Sequence, residues 1–457
     1  MKRLLILLMS LLSITGSAQL PWDKSSPLDY MWMNVGNAGF SLWQVGYTSI
    51  ALNPSGQPYV AFRDGMNNQK ATVMKFDGTN WVFVGIAGFS AGSTNFITLT
   101  FSPTGQPYVA YQDGGNSGKA TVMKFDGTNW VNVGNVGFSF SEASFTSLAF
   151  SPTGNPYLAF MDEANSLKAT VMEFDGTNWL IVGAAGFSSG RAQFTNIAFS
   201  PIDSLPYVAY QDAGNSNKAN VMKFNGTNWV NVGVAGISIA VAGYIRLAFS
   251  QTGQPCVAYE DWEYSHKATV KKFDGINWLN VGDEGFSDGQ ALFVNLAFSP
   301  SGQLYVAFTD YGNSFKATVM KFDGTIWVNV GAAGFSEGRA DFMSLALSTS
   351  GVPYVAYSDH GYSDKVTVMK YDSISIGINE KQELKVSIYP NPASTTITIE
   401  TPIIGSLTIL NLSGQQLLQQ EITEPNTTVS ISDWKSGIYM VKVIGEKGVM
   451  VGKFVKK

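Results

Sequence analysis

Short runs rich in β-branched and aromatic residues recur along this chain, each bounded by Gly, Pro, Asn or Asp. One stretch shows the pattern whole. Residues 145–151 read Phe-Thr-Ser-Leu-Ala-Phe-Ser, and Pro-Thr-Gly-Asn-Pro follows. Residues 157–162 read Tyr-Leu-Ala-Phe-Met-Asp and, after a short loop, residues 168–174 read Lys-Ala-Thr-Val-Met-Glu-Phe. Asp-Gly-Thr-Asn then leads into Trp-Leu-Ile-Val-Gly at 179–183. These runs are too short for helices, and no 3.6-residue period spans them. They predict four strands, a to d, separated by tight turns in which proline fixes φ and glycine admits positive φ.

The unit repeats. Trp32, Trp81, Trp130, Trp179, Trp229, Trp278 and Trp327 stand 49 residues apart, except for one gap of 50. Four-stranded antiparallel units at a period of about 40–50 residues are the mark of propeller blades. The last copy stops at Tyr371-Asp372, before its d strand, whereas residues 31–36 supply a d strand with no a, b or c before it. The two ends together complete one blade. The expected fold is therefore all-β: a seven-bladed β-propeller of four-stranded blades, its ring closed by the N-terminal strand. An open solenoid would need capping repeats. The ladder tryptophans are expected to pack between blades, each contributing at most ~4–6 kcal/mol for ~150–250 Å² buried.

Alternation orients the disc. The short, nearly invariant a–b and c–d turns share one face. The b–c loops and the d-to-a crossings, which differ among copies, share the other, and recognition is expected there. Every strand b ends in Asp and every strand c begins with Lys six residues on, as in Asp113/Lys119. Such a pair predicts an ion pair or a capped loop, and otherwise a ring of equivalent polar sites whose weak contacts would add by multivalency. The later b–c loops carry rings: Trp262, Tyr264 and His266, then Tyr311 and Phe315, then His360 and Tyr362. Exposed aromatics beside Asp, Asn and Ser suit sugar faces and hydroxyls, so these residues are candidate ligand contacts; otherwise they cover neighbouring loops. Arg246 joins them. It occupies a strand-a position where sister copies have Ser147, Asn196, Asn295 or Ser344, and as the odd residue there it is a candidate to face the central channel.

Composition narrows the function classes. The chain is 45% hydrophobic and 13% aromatic, with a net charge of -5, which allows a large core and gives no basic footprint for nucleic acid. Lys2-Arg3, an apolar stretch over 4–12 and Gly16-Ser17-Ala18 predict a signal peptide over 1–18, followed by an N-terminal lead over 19–31. No later apolar run is long enough to span a bilayer, so no transmembrane segment is expected. The lone Cys256 forms no internal disulfide, and two histidines in separate blades make no metal site. No catalytic constellation is visible, and no cofactor is expected. The Asp126-Gly-Thr-Asn-Trp130 turn resembles the Asp-box of propeller sialidases only loosely, with the Asp-to-Gly spacing shortened by one.

The repeat, spanning 32–372, gives way to a polar linker over 373–384. Residues 385–457 then show several short strands, which predict a small β-sandwich. They contain Tyr389-Pro390-Asn391-Pro392, the Gly414 turn after an alternating strand, Gly437-x-Tyr439-x-Val441-x-Val443 and a basic end. This segment closely resembles the type A C-terminal sorting domain of the type IX secretion system of Bacteroidota. The resemblance implies export by a signal peptide, then outer-membrane passage through the type IX machinery, with release or attachment at the surface. The sequence thus reads as an exported, non-catalytic propeller binding a glycan or surface polymer. A protein–protein adhesion scaffold is the first alternative, and a propeller glycosidase or lyase the second.

Overall fold

The computed structural model describes residues 30–373, 386–401, 404–445 and 448–457. The chain divides into two compact units, 1–373 and 374–457. The expected signal peptide and most of the linker lie outside the described residues. Tyr30 and Met31 already belong to the first strand, and Ser373 ends the last strand of the first unit, so the propeller extends slightly beyond the expected 32–372.

The first unit is seven four-stranded antiparallel sheets. Blade 2 shows the pattern, with strands a to d at Thr94–Phe101, Pro107–Asp113, Lys119–Phe125 and Trp130–Asn132. Blades 1 to 6 each use consecutive strands. Blade 7 takes its first three strands from Ala340–Leu347, Pro353–Asp359 and Lys365–Ser373 and its outer strand from Tyr30–Asn34, with Trp32 opposite Tyr371. The N-terminal strand completes the ring, as the sequence predicts.

Each ladder tryptophan joins neighbouring blades. Trp130 Nε1 donates to Val84 O of the blade before it at 2.7 Å, and Trp32 Nε1 donates to Val330 O at 2.6 Å, so the series runs across the junction of the chain ends. In every case but Trp278 the indole also stacks on a phenylalanine from the crossing segment: Phe89 lies 4.5 Å from Trp130 and Phe335 lies 3.9 Å from Trp32. These seven residues are structural, and six of them are buried.

A second ring lies at the axis. Strand pairing in every strand a slips by a bulge, in blade 2 between Asn95 and Thr98. The bulge puts one aromatic residue per blade in the left-handed region: Tyr47, Phe96, Phe145, Phe194, Tyr244, Phe293 and Phe342, with φ between 48° and 55°. Such backbone costs roughly 1–3 kcal/mol per residue unless its surroundings compensate. Here the rings touch in series, from Tyr47–Phe96 at 5.3 Å round to Phe342–Tyr47 at 5.0 Å.

The second unit is a small sandwich. One sheet pairs Ser387–Tyr389, Thr396–Glu400 and Asn426–Ser430; the other pairs Gln416–Ile422, Gly405–Asn411, Gly437–Gly445 and Gly448–Lys456. Ile397, Ile399, Leu407, Ile409, Val441 and Phe454 form its core. The motif residues serve this frame. Tyr389–Pro390 and Asn391–Pro392 are cis, and Asn391 Oδ1 accepts from Val455 N at 2.9 Å. Tyr439 stacks on Phe454 and donates to Lys435 O at 2.6 Å. Gly414, at φ +81°, makes the turn after Gly405–Asn411, and Gly437 opens its strand.

Candidate binding surface on the loop face

The b–c loops and the d-to-a crossings meet on one face, as the alternation predicts: Gly114 N of a b–c loop donates to Ser93 O of a crossing at 2.8 Å. Each b–c loop is a single 3-10 turn capped by the aspartate that ends strand b. In blade 2 Asp113 is fully buried. Its Oδ1 accepts from Gly115 N at 3.0 Å, and its Oδ2 accepts from Asn116 Nδ2 at 2.8 Å and Thr121 Oγ1 at 3.0 Å. Lys119 stands opposite in register but, among the described residues, forms no ion pair. The capped loop, and not the ion pair, is the outcome. Donors within eight residues satisfy the buried carboxylate, whereas the lysine would have to desolvate its ammonium to reach it.

Two caps are incomplete. In blades 5 and 7 the asparagine of the turn is replaced by Tyr264 and Tyr362. Asp261 and Asp359 keep a backbone donor on Oδ1, from Glu263 N at 3.2 Å and Gly361 N at 3.0 Å. Their Oδ2 atoms are buried and, among the described residues, make no well-formed hydrogen bond. Burial therefore holds both carboxyls above the usual Asp range, and the nearby Thr269 and Thr367 hydroxyls offset it only in part.

Blade 5 carries a recess on this face, a groove of about 490 Å³ with walls from blades 4, 5 and 6. Trp262 is half exposed at its rim, its ring 4.6 Å from that of His266. His266 Nδ1 lies 3.0 Å from Glu260 Oε1, which also accepts from Gln290 Nε2 at 2.8 Å. Glu260 is buried, and among the described residues no protein group donates to its Oε2, which leaves an acceptor in the groove. A Cβ at position 243 would sit 2.4 Å from that oxygen, so Gly243 makes room for the carboxylate. Arg191, Gln193, Gln211 and Asn217 line the opposite wall, and Phe194 and Tyr244 lie where the groove adjoins the channel.

The structure divides the predicted loop residues. Trp262 and His266 share the groove. Tyr264 does not join them: its hydroxyl donates to Glu284 Oε2 at 2.7 Å, and Glu284 Oε1 pairs with Lys271 at 2.9 Å. Tyr311 packs edge-on against Phe315 at 4.8 Å, and the Arg339 guanidinium lies over Phe315 at 4.8 Å, a separate cluster. His360 Nδ1 meets Asp364 Oδ1 at 2.9 Å, and this hydrogen bond holds the imidazole above its usual range. Tyr362 covers Gly39 of the first crossing, where a Cβ would come within 2.7 Å of the ring's own Cβ. Three of these loops therefore present three surfaces, not one continuous site.

Arg246 does face the channel, in a cavity of about 280 Å³ lined by the axial aromatic ring. The aromatic ring itself is absent from the expected site. Its signal was present, an aromatic at one fixed strand-a position in every copy, but without the bulge it reads as an ordinary strand residue. Among the described residues, no cluster of His, Cys, Asp and Glu is arranged to hold a metal, and no helix is long and apolar enough to cross a membrane.

No curated protein sequence matches the chain. Among solved structures, it is similar to PorZ, a surface component of the type-IX secretion system of Porphyromonas gingivalis, at 17% identity and TM-score 0.45. That match covers 90% of this chain but only 59% of PorZ. An ulvan lyase bound to -[GlcA(1-4)Rha3S]- matches at 11% identity and TM-score 0.49, over 74% of this chain and 95% of the lyase. The Aleuria aurantia lectin in complex with Fucalpha1-6GlcNAc matches at 17% identity and TM-score 0.44, over 66% of this chain and all of the lectin. Residues 387–457 match the secretion system C-terminal sorting domain. The chain is thus a seven-bladed β-propeller that carries a secretion system C-terminal sorting domain, which implies handling by the type IX machinery and export to the cell surface or secretion.

Proposed function

We propose that this exported propeller is a non-catalytic binding module whose loop-face groove in blade 5 takes a glycan or a sugar-based surface polymer. One observation carries the reading: half-exposed Trp262 stands beside Glu260, His266 and the amides of Gln193, Gln211 and Asn217 around one recess. An aromatic face with converging donors and acceptors is what a sugar ring requires, since it has both apolar C–H faces and equatorial hydroxyls. The non-catalytic reading rests on the carboxylates. Hydrolysis of a glycosidic bond by the common route needs a pair about 5–10 Å apart, and Glu260 is the sole carboxylate among the groove's lining residues.

A glycan array probed with the purified protein tests the module. Binding to a sugar class, weakened at least tenfold by Trp262→Ala, is expected; binding to no glycan would sink the proposal and favour a protein ligand. The His266–Glu260 pair is the one feature that favours an enzyme, because a carboxylate-oriented imidazole can act as a base. Polysaccharide turnover abolished by His266→Ala would overturn the non-catalytic reading. The delivery route has its own test. Deleting residues 385–457 should retain the protein in the periplasm, and normal surface delivery of that truncation would refute the assignment of delivery to the tail.

A further inference from the structure

We propose that the central channel is a second, independent site, in which Arg246 receives the carboxylate of a small organic anion whose planar body lies against the axial aromatic ring. The position of Arg246 makes this specific. In four of the other six blades the same strand-a residue stitches the ring together by accepting a backbone N–H from the next blade, while Thr98 and Asn295 donate to it. Ser49 accepts from Leu99 N at 3.0 Å, Asn196 from Leu247 N at 2.7 Å and Ser344 from Ile50 N at 3.1 Å. A guanidinium has no acceptor and cannot make that bond. Arg246 instead donates from Nη1 to its neighbour's Ile245 O at 3.0 Å, and among the described residues no other protein group accepts from its remaining donors.

Among the described residues, the charge also has no ion-pair partner. Burial lowers the Arg246 pKa to about 10, which leaves the side chain cationic at neutral pH, and no carboxylate contributes to the shift. A part-buried cation with free donors gains most from an anion that brings both charge and acceptors, and a carboxylate meets a guanidinium through two parallel hydrogen bonds. The cavity of about 280 Å³ admits a small molecule rather than a polymer. Its wall supplies the rest: Phe145, Phe194, Tyr244 and Phe293 present ring surface around the axis. An aromatic or unsaturated carboxylate satisfies both parts, whereas a neutral ring leaves the guanidinium unmet and inorganic phosphate leaves the rings unmet.

The test is titration of the full-length protein with benzoate by calorimetry and by ligand-observed NMR, with benzyl alcohol as the uncharged counterpart. Saturable benzoate binding is expected, with benzyl alcohol at least tenfold weaker. Arg246→Ser installs the sister residue, which restores the acceptor and so keeps the ring folded. It should weaken benzoate at least tenfold without lowering Tm. Trp262→Ala should leave benzoate binding unchanged, which separates this site from the groove. No benzoate binding by the wild-type protein, or equal binding by Arg246→Ser, overturns the proposal.

Discussion

Blades 2 and 5 are two copies of one unit, and they have been used differently. In blade 2 Asp113 has its full set of donors, Tyr111 Oη donates to Met123 Sδ at 3.0 Å, and Trp130 stacks on Phe89. In blade 5, among the described residues, Asp261 Oδ2 and Tyr259 Oη have no hydrogen-bond partner in good geometry. Lys271 replaces the methionine and pairs with Glu284. Trp278 packs beside Ile237 and remains partly exposed. The same blade contributes Arg246, Glu260, Trp262 and His266 to the two recesses. Backbone topology is identical in the two. A ring of near-identical blades lets one member give up local satisfaction for surface chemistry while its neighbours hold the frame.

That contrast can be broken or sharpened by paired substitutions. The largest effect is expected at the ladder. Trp130→Ala should cost about 3–5 kcal/mol, as loss of a large buried aromatic does, and Trp278→Ala clearly less, since it loses no stacked ring. Scanning calorimetry of both variants checks this, and equal losses would remove the difference between the blades. Next are the caps. Asp113→Ala removes charge-assisted bonds and orphans buried donors, for about 3 kcal/mol, whereas Asp261→Ala should cost about 1 kcal/mol or less.

The pH dependence gives a subtler measure. Asp261 and Asp359 have folded pKa values above the unfolded one. Their contribution to stability is therefore fully present below the ordinary Asp value of about 4 and is lost as pH rises through the raised value. Replacing both by Asn should remove that loss. Relative to wild type, the double variant should gain Tm between pH 4 and neutrality; a constant Tm difference across that range would refute it. The smallest effect is predicted at the rim: Trp262→Ala should change stability by no more than about 0.5 kcal/mol. A large destabilisation there would mean the ring is packing and not a contact surface.

Blade count, ring closure and the sorting tail were legible in the sequence because they depend on period and turn chemistry, which residue spacing records directly. The indole ladder was legible for the same reason. The aromatic lining of the channel was not, because it sits on a bulge. One extra residue shifts the alternation, so Phe96 and Phe145 read as ordinary strand positions. The Asp–Lys pairs left an ion pair and a capped loop both open, because opposite charges six residues apart suggest each other as readily as Asp113 suggests Asn116 and Thr121. The loop rings were grouped together because a one-turn helix aims successive side chains in different directions, so Trp262 and Tyr264 part company although only one residue separates them.

The bond from Trp32 to Val330 spans 298 positions of the chain. The strand that seals the disc is the first of the propeller to leave the ribosome, and its partner at 365–373 is the last. Such long-range pairing is slow and comes at the end of assembly. A nascent or truncated body therefore remains an open arc with an unpaired edge on its final blade. Sealing reports that every copy has been made, so the outer strand acts as a latch that only a finished chain can engage.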